Sequence, residues 1–179
     1  MLGNWVEKLS LGDTLDAAFS GWYFDEVLQL IVHALKYDEK RSVAGELSRR
    51  LAGMLRDEIE KMRLDAVVPI PLHVTKLRQR GFNQSESIAE PLAEQLGIAY
   101  VPNLLRRRRN TVSQTTLSLQ GREKNVAGAF MVSGMSDHER ILIVDDILTS
   151  GATVSSSAMA LKESGAKFVA VVTVGTPYL

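Results

Sequence analysis

The chain has 179 residues, 45% of them hydrophobic and 23% charged, with 21 basic and 21 acidic side chains. That length supports one domain with a full core, and that composition excludes wholesale disorder. The absence of cysteine removes disulfides, thiolate zinc sites and cysteine nucleophiles and fits a reducing compartment, and no apolar run approaches the roughly 18 residues of a membrane span.

The opening Met1-Leu-Gly-Asn-Trp-Val-Glu-Lys8 has neither a basic n-region nor an apolar h-region. Secretion is therefore not expected, and a cytoplasmic location without membrane contact is. Residues 1–22 have weak periodicity and read as a loosely structured lead-in. From Asp25 the pattern predicts a helix with Val27, Leu30, Ile31, Ala34 and Leu35 on one stripe. A second helix covers Ser42 to Met62, with Val43, Leu47, Leu51, Met54 and Leu55 facing inward. Ala66-Val-Val-Pro-Ile70 reads as a short buried strand that runs into a proline-marked loop.

After Arg80-Gly-Phe82 a helix is predicted from Gln84 to Leu96, closed by Gly97, with Pro91 kinking or restarting it. Ile98 to Val101 suggests a strand. Arg106 to Asn125 is polar, basic and without period, and suits a long loop of the kind that carries function. Ile141-Leu-Ile-Val144 is a continuous aliphatic run, as in a central parallel strand. A loop from Asp145 and a helix from Thr153 to Ser164 follow, with Val154, Ala158 and Leu161 inward. Gly165 ends that helix, and Phe168 to Val174 forms another buried strand. This is a βαβ unit, expected to cross over right-handed. The class is α/β, with residues 1–24 as lead-in and 25–179 as the domain.

Charge is spread unevenly. Between Leu72 and Lys124 nine basic residues meet four acids, so this stretch carries +5 and the remainder −5. A basic middle in a neutral chain suits a polyanionic ligand. The run Arg106 to Arg109 cannot turn all four side chains to one ligand, and such runs are usually solvated faces. Phe82 and Tyr100 are the two aromatics in the whole stretch, whereas single-strand binders interleave stacking rings with charge.

Asp145 and Asp146 stand where a buried strand ends, the crevice in which open α/β sheets bind ligands. As acceptors they suit a vicinal diol or a hydrated cation, or they are a solvated terminus. Thr149-Ser150-Gly151-Ala152-Thr153 then brings three hydroxyls and a glycine to a helix N-terminus. Unpaired N–H groups and the helix dipole make such an end an anion cradle, and Gly151 lets backbone approach closely. A serine/threonine N-cap accounts for one of those hydroxyls, not the set. Diol acceptors followed by a phosphate cup describe a receptor for a ribose 5-phosphate. Pro71 cannot donate, so Leu72 and His73 are the backbone donors after the first strand, with Lys76 and Arg80 in reach of a pyrophosphate. The alternative reading of Arg80 and Gln84 is a loop anchor, and that of His73 a hydrogen-bonding role in the loop. His33 and His138 have no ligand partner at metal spacing. Walker, Gly-x-Gly-x-x-Gly and Gly-x-Ser-x-Gly patterns are missing.

Ile143-Val-Asp-Asp-Ile-Leu-Thr-Ser-Gly-Ala-Thr153 resembles the signature of type I phosphoribosyltransferases, which bind 5-phosphoribosyl-1-pyrophosphate (PRPP). The resemblance implies that Asp145 and Asp146 contact the ribose hydroxyls and that Thr149 to Thr153 hold the 5-phosphate. Val68-Pro-Ile-Pro-Leu-His73, Lys76, Arg80-Gly-Phe-Asn-Gln84, Arg106 through Gln114, Gly121-Arg-Glu-Lys-Asn125 and Gly128-Ala-Phe130 are similar to the competence-associated ComF/GntX-type branch, as is His33-Ala-Leu-Lys-Tyr37. Members often begin with a four-cysteine zinc ribbon. Here that module is expected to be absent or replaced by residues 1–24.

The resemblance implies the type I phosphoribosyltransferase fold and Mg²⁺-dependent transfer of phosphoribosyl to a nitrogen nucleophile, such as a nucleobase, with release of pyrophosphate. Leu72, His73, Lys76 and Arg80 would line the pyrophosphate, and Mg²⁺ would be held by PRPP near the acid pair. A hood loop with Arg109, Gln114 and Arg122 would close over the site. Two other readings stay open: a binding module that keeps the pocket without chemistry, and an accessory protein of DNA uptake with a helicase-type partner. A homodimer is compatible with the sequence, which does not set the oligomeric state.

Overall fold

The computed structural model describes residues 4–7, 9, 11, 13–37, 41–108, 128–134 and 137–178, the side chains of Lys36, Tyr37 and Arg41 excepted. In chain order its elements are β1 (Ala17–Tyr23), α1 (Glu26–Tyr37), α2 (Arg41–Met62), β2 (Ala66–Pro69), α3 (Val74–Arg80), α4 (Gln84–Leu96) and β3 (Ala99–Tyr100). After these come β4 (Leu105–Arg107), β5 (Phe130–Val132), β6 (Arg140–Ile147), α5 (Ala152–Glu163) and β7 (Phe168–Thr176). Among the described residues, no helix is long and apolar enough to cross a membrane.

Five strands pair in parallel in the order β1-β7-β6-β2-β3, and β4 and β5 form a separate antiparallel ribbon. The aliphatic runs of β6 and β7 sit at the centre because they are covered on both faces, so alternate residues enter two cores. Leu142, Val144, Val172 and Val174 face the layer of α1, α2 and α4. Ile141, Ile143, Val169 and Val171 face α5 and the β4–β5 ribbon.

The predicted α4 is found with the same bounds and runs unbroken through Pro91. Asn83 caps its start, and Gly97, at φ 66°, donates to the carbonyls of Ala93 and Glu94 at its end. The helix after the acid pair keeps Val154, Ala158 and Leu161 buried as expected.

Four readings are corrected. The lead-in is not loose: Ala17–Tyr23 is an edge strand on β7, and Trp5, Leu11 and Leu15 are buried in the second core. The apolar stripe of α1 is rotated, with Leu28, Val32 and Leu35 inward while Val27 and Leu30 are 65% and 72% exposed. The stretch after β2 is a short helix, α3, rather than a loop. Finally, β6 continues through Asp145 and Asp146 to Ile147, so the acid pair lies on the strand itself.

Candidate functional site

The connections fix where a ligand can sit. Strands β2 and β6 are neighbours, with Pro69 opposite Val144 and the Ile70 N–H donating to the Val144 carbonyl at 2.9 Å. From β2 the chain leaves through α3 and α4 toward β3, and from β6 it leaves through α5 toward β7 on the other side. The connections diverge, so the C-terminal ends of β2 and β6 open a crevice at a topological switch point. Leu72 and His73 follow the end of β2, with Lys76 and Arg80 on α3 beyond them, and Thr149 to Thr153 follow the end of β6.

Asp145 and Asp146 lie between them, each 8% exposed. Buried carboxylates need donors, and this pair has them. Asp145 Oδ1 accepts from Ser85 Oγ at 2.9 Å and from the Asp146 N–H at 2.9 Å. Asp146 Oδ1 accepts from the Ile147 N–H at 2.9 Å. The first donor comes from the N-terminal turn of α4, sixty positions away in sequence.

The β6–α5 loop is rooted by β7. The Leu148 N–H donates to the Gly175 carbonyl at 2.8 Å, and Thr176 Oγ1 donates to the Leu148 carbonyl at 2.9 Å. At its far end Gly151 takes the N-cap position of α5 with φ 76°; among the described residues no side-chain cap hydrogen bond is found, and the first turn holds no acid. Ser150 Oγ is buried in this loop without a hydrogen-bond partner among the described residues. Uncapped N–H groups with an unpartnered hydroxyl and no carboxylate make a cup for an anion. Gly151 carries a further constraint. A Cβ at this position would meet Leu11 Cδ2 at 2.5 Å, so the glycine serves its backbone conformation and the packing of the N-terminal segment.

On the opposite lip, Leu72 and His73 are half-buried in the β2–α3 turn. His73 Nδ1 accepts from the Thr75 N–H at 3.3 Å, which makes this imidazole the cap of α3. Lys76 is half-buried in α3, and the Arg80 guanidinium donates to Gln84 Oε1. That contact ties the end of α3 to the start of α4. Arg109, Gln114 and Arg122 lie outside the described residues.

Two contributors escaped the sequence reading. Ser85 is one. Arg107 is the other, and strand alternation isolates it: Leu105 is buried, Arg106 and Arg108 are exposed, and Arg107 is half-buried between them. Its guanidinium lies 5.2 Å from the centre of the Phe130 ring. Burial pushes its pKa below the usual arginine range while the Asp145 carboxylate pulls it back up. Among the described residues, no three His, Cys, Asp or Glu side chains could hold a metal ion together. Two carboxylates suit Mg²⁺ that arrives with phosphate oxygens, since that ion keeps waters and uses few protein ligands.

A family model described as the phosphoribosyl transferase domain matches residues 83–176. The DNA utilization protein YhgH of Salmonella typhimurium is 35% identical over 147 residues, covering 80% of this chain. Competence protein F of Haemophilus influenzae is 26% identical over 155 residues, covering 83% of this chain and 68% of its own length. Competence protein ComFC of Streptococcus pneumoniae is 34% identical over 126 residues, 69% of this chain and 53% of its own. This chain spans 65% of the length of the Salmonella protein. Among solved structures, the glutamine PRPP amidotransferase from B. subtilis, complexed with ADP and GMP, is 27% identical over 61% of this chain and 22% of its own, with a TM-score of 0.40. The match from Asn83 through Thr176 takes in α4, the acid pair and the β6–α5 loop, over more than half of the sequence. The chain belongs to the phosphoribosyl transferase domain family, in its ComF-type branch, and its parallel sheet with flanking helices is the type I phosphoribosyltransferase α/β fold.

Proposed function

We propose that the crevice binds PRPP and transfers its phosphoribosyl group to a nitrogen nucleophile. The observation that carries this reading is the juxtaposition of a buried acid pair with an uncapped helix N-terminus beside the unpartnered Ser150 hydroxyl. Asp145 and Asp146 accept hydrogen bonds from the ribose hydroxyls, and the Thr149 to Thr153 loop takes the 5-phosphate on the N–H groups of α5. Backbone donors at Leu72 and His73, with Lys76 and Arg80, line the pyrophosphate. In the reaction the bond from C1 to the pyrophosphate oxygen breaks, and its electron pair leaves with pyrophosphate. The nucleophile's lone pair forms the new C1–N bond, and its proton passes to solvent or a base. Positive charge growing on the ribose is met by the acid pair, and negative charge on the leaving group by the basic lip. Mg²⁺, when bound with PRPP, neutralises pyrophosphate oxygens beside Asp145 and Asp146.

The test is a thermal melt with PRPP and Mg²⁺, followed by an assay of pyrophosphate release against a panel of nucleobases and amines. At about a hundredfold excess over Kd, binding adds about 2.7 kcal/mol, roughly 5–10 °C for a chain of this size. Asp145→Asn with Asp146→Asn should keep the fold, since the amide oxygen still accepts from Ser85, and should abolish the shift. A shift that survives in that variant would move the ribose site elsewhere. The names of the relatives support a second reading, in which the chain acts in DNA uptake and retains the pocket without transfer. A melting shift without pyrophosphate release from any acceptor would favour it.

A further inference from the structure

Asp145 is held by a closed ring of hydrogen bonds that starts from its own neighbour. The Val144 carbonyl accepts from the Ile70 N–H at 2.9 Å, and the Ile70 carbonyl accepts from Asn83 Nδ2 at 3.0 Å. Asn83 Oδ1 accepts from the Ser85 N–H at 3.1 Å, and Ser85 Oγ donates to Asp145 Oδ1 at 2.9 Å. Asn83 and Ser85 are 2% and 0% exposed, so water does not compete for these bonds. The Asp146 N–H reaches the same oxygen. Two donors on Oδ1 fix the plane of the carboxylate.

We propose that Ser85, set by Asn83, is a positioning residue for the reaction, acting through Asp145 on recognition of the ribose hydroxyls. The role of the carboxylate rests on the PRPP reading; its orientation by Ser85 does not. The same ring joins the two lips of the crevice, because Ile70 leads into the β2–α3 turn while Asp145 leads into the β6–α5 loop.

Two measurements separate the parts. The first is the crystal structure of the free Ser85→Ala protein, with Ser85→Cys as a near-isosteric variant that donates weakly should the alanine form not fold. The Asp145 carboxylate is expected to rotate or split between conformers. One unchanged conformer overturns the proposal, whatever the ligand. The second is calorimetry with Mg²⁺ and PRPP beside NMR titration with inorganic phosphate, which occupies the cup and ignores the acid pair. Affinity for PRPP should fall about tenfold, the worth of one charge-assisted hydrogen bond, while phosphate affinity stays as in the wild type. Equal losses for both ligands would mean a general loosening, and the positioning role would fall. Wild-type protein that takes no PRPP would remove the PRPP reading, and the crystal structures would still decide whether Ser85 orients Asp145.

Discussion

Gly151 illustrates how one residue can answer to more than one constraint. The sequence motif asks for a small residue near a phosphate, whereas the structure sets it at φ 76° with Leu11 where a Cβ would go. Gly151→Ala should therefore cost stability even without ligand, by about 1–3 kcal/mol from the left-handed backbone and the displaced Leu11 side chain. Urea unfolding of the free protein measures this, and a midpoint equal to wild type would show that the N-terminal segment does not press on the loop. The acid pair was legible because both partners and the helix start are contiguous in sequence. Ser85 was not, because its link to Asp145 is made by folding across the sheet. Arg107 was hidden for another reason: a run of four identical residues gives no pattern until strand alternation assigns one of them inward.

At the level of elements, strong periodicity or long aliphatic runs located α2, α4, α5, β6 and β7, and weak patterning concealed β1. Ala17-Ala-Phe-Ser-Gly-Trp-Tyr23 has small residues where strands usually carry branched ones, and it is buried on both faces, so no alternation marks it. Its smallness has a packing cause: a Cβ on Gly21 would meet Leu51 Cδ2 at 2.8 Å and the Val174 carbonyl at 3.1 Å, where α2 and β7 close in. In α1 apolar residues nearly encircle the helix, so the sequence could not choose the buried face. If the N-terminal segment belongs to the core, Leu15→Ala should cost about 2–5 kcal/mol, as for other fully buried leucines. Leu15 is 1% exposed in the second core. A loss below about 0.5 kcal/mol in equilibrium unfolding would return these residues to the status of a loose lead-in.

The whole molecule is electrically neutral, yet its middle stretch carries +5, and the fold divides that charge between two environments. Lys76 and Arg80 are half-buried on α3, Arg107 is half-buried near Asp145, and Arg106 and Arg108 are exposed. Inward charges act in a region of lowered dielectric and are screened weakly; outward ones are screened within about 8–10 Å at physiological salt. A ligand held in the crevice and a polyanion laid along the outside should therefore respond differently to salt. PRPP affinity in the presence of Mg²⁺ is expected to fall only a few-fold between about 50 and 200 mM salt. A single-stranded oligonucleotide should follow counterion release, losing affinity linearly in log salt with a slope of about −0.7 for each phosphate neutralised. With Arg106 on β4 and Arg108 just after it as the outward arginines described there, and no aromatic platform in the stretch beyond Phe82 and Tyr100, its binding should be weak at low salt and gone near about 200 mM. Calorimetry and fluorescence anisotropy across one salt series measure both. Oligonucleotide binding that persists at physiological salt, in a protein that PRPP does not stabilise, would give the basic middle to a macromolecular partner and remove the transfer reaction from this crevice.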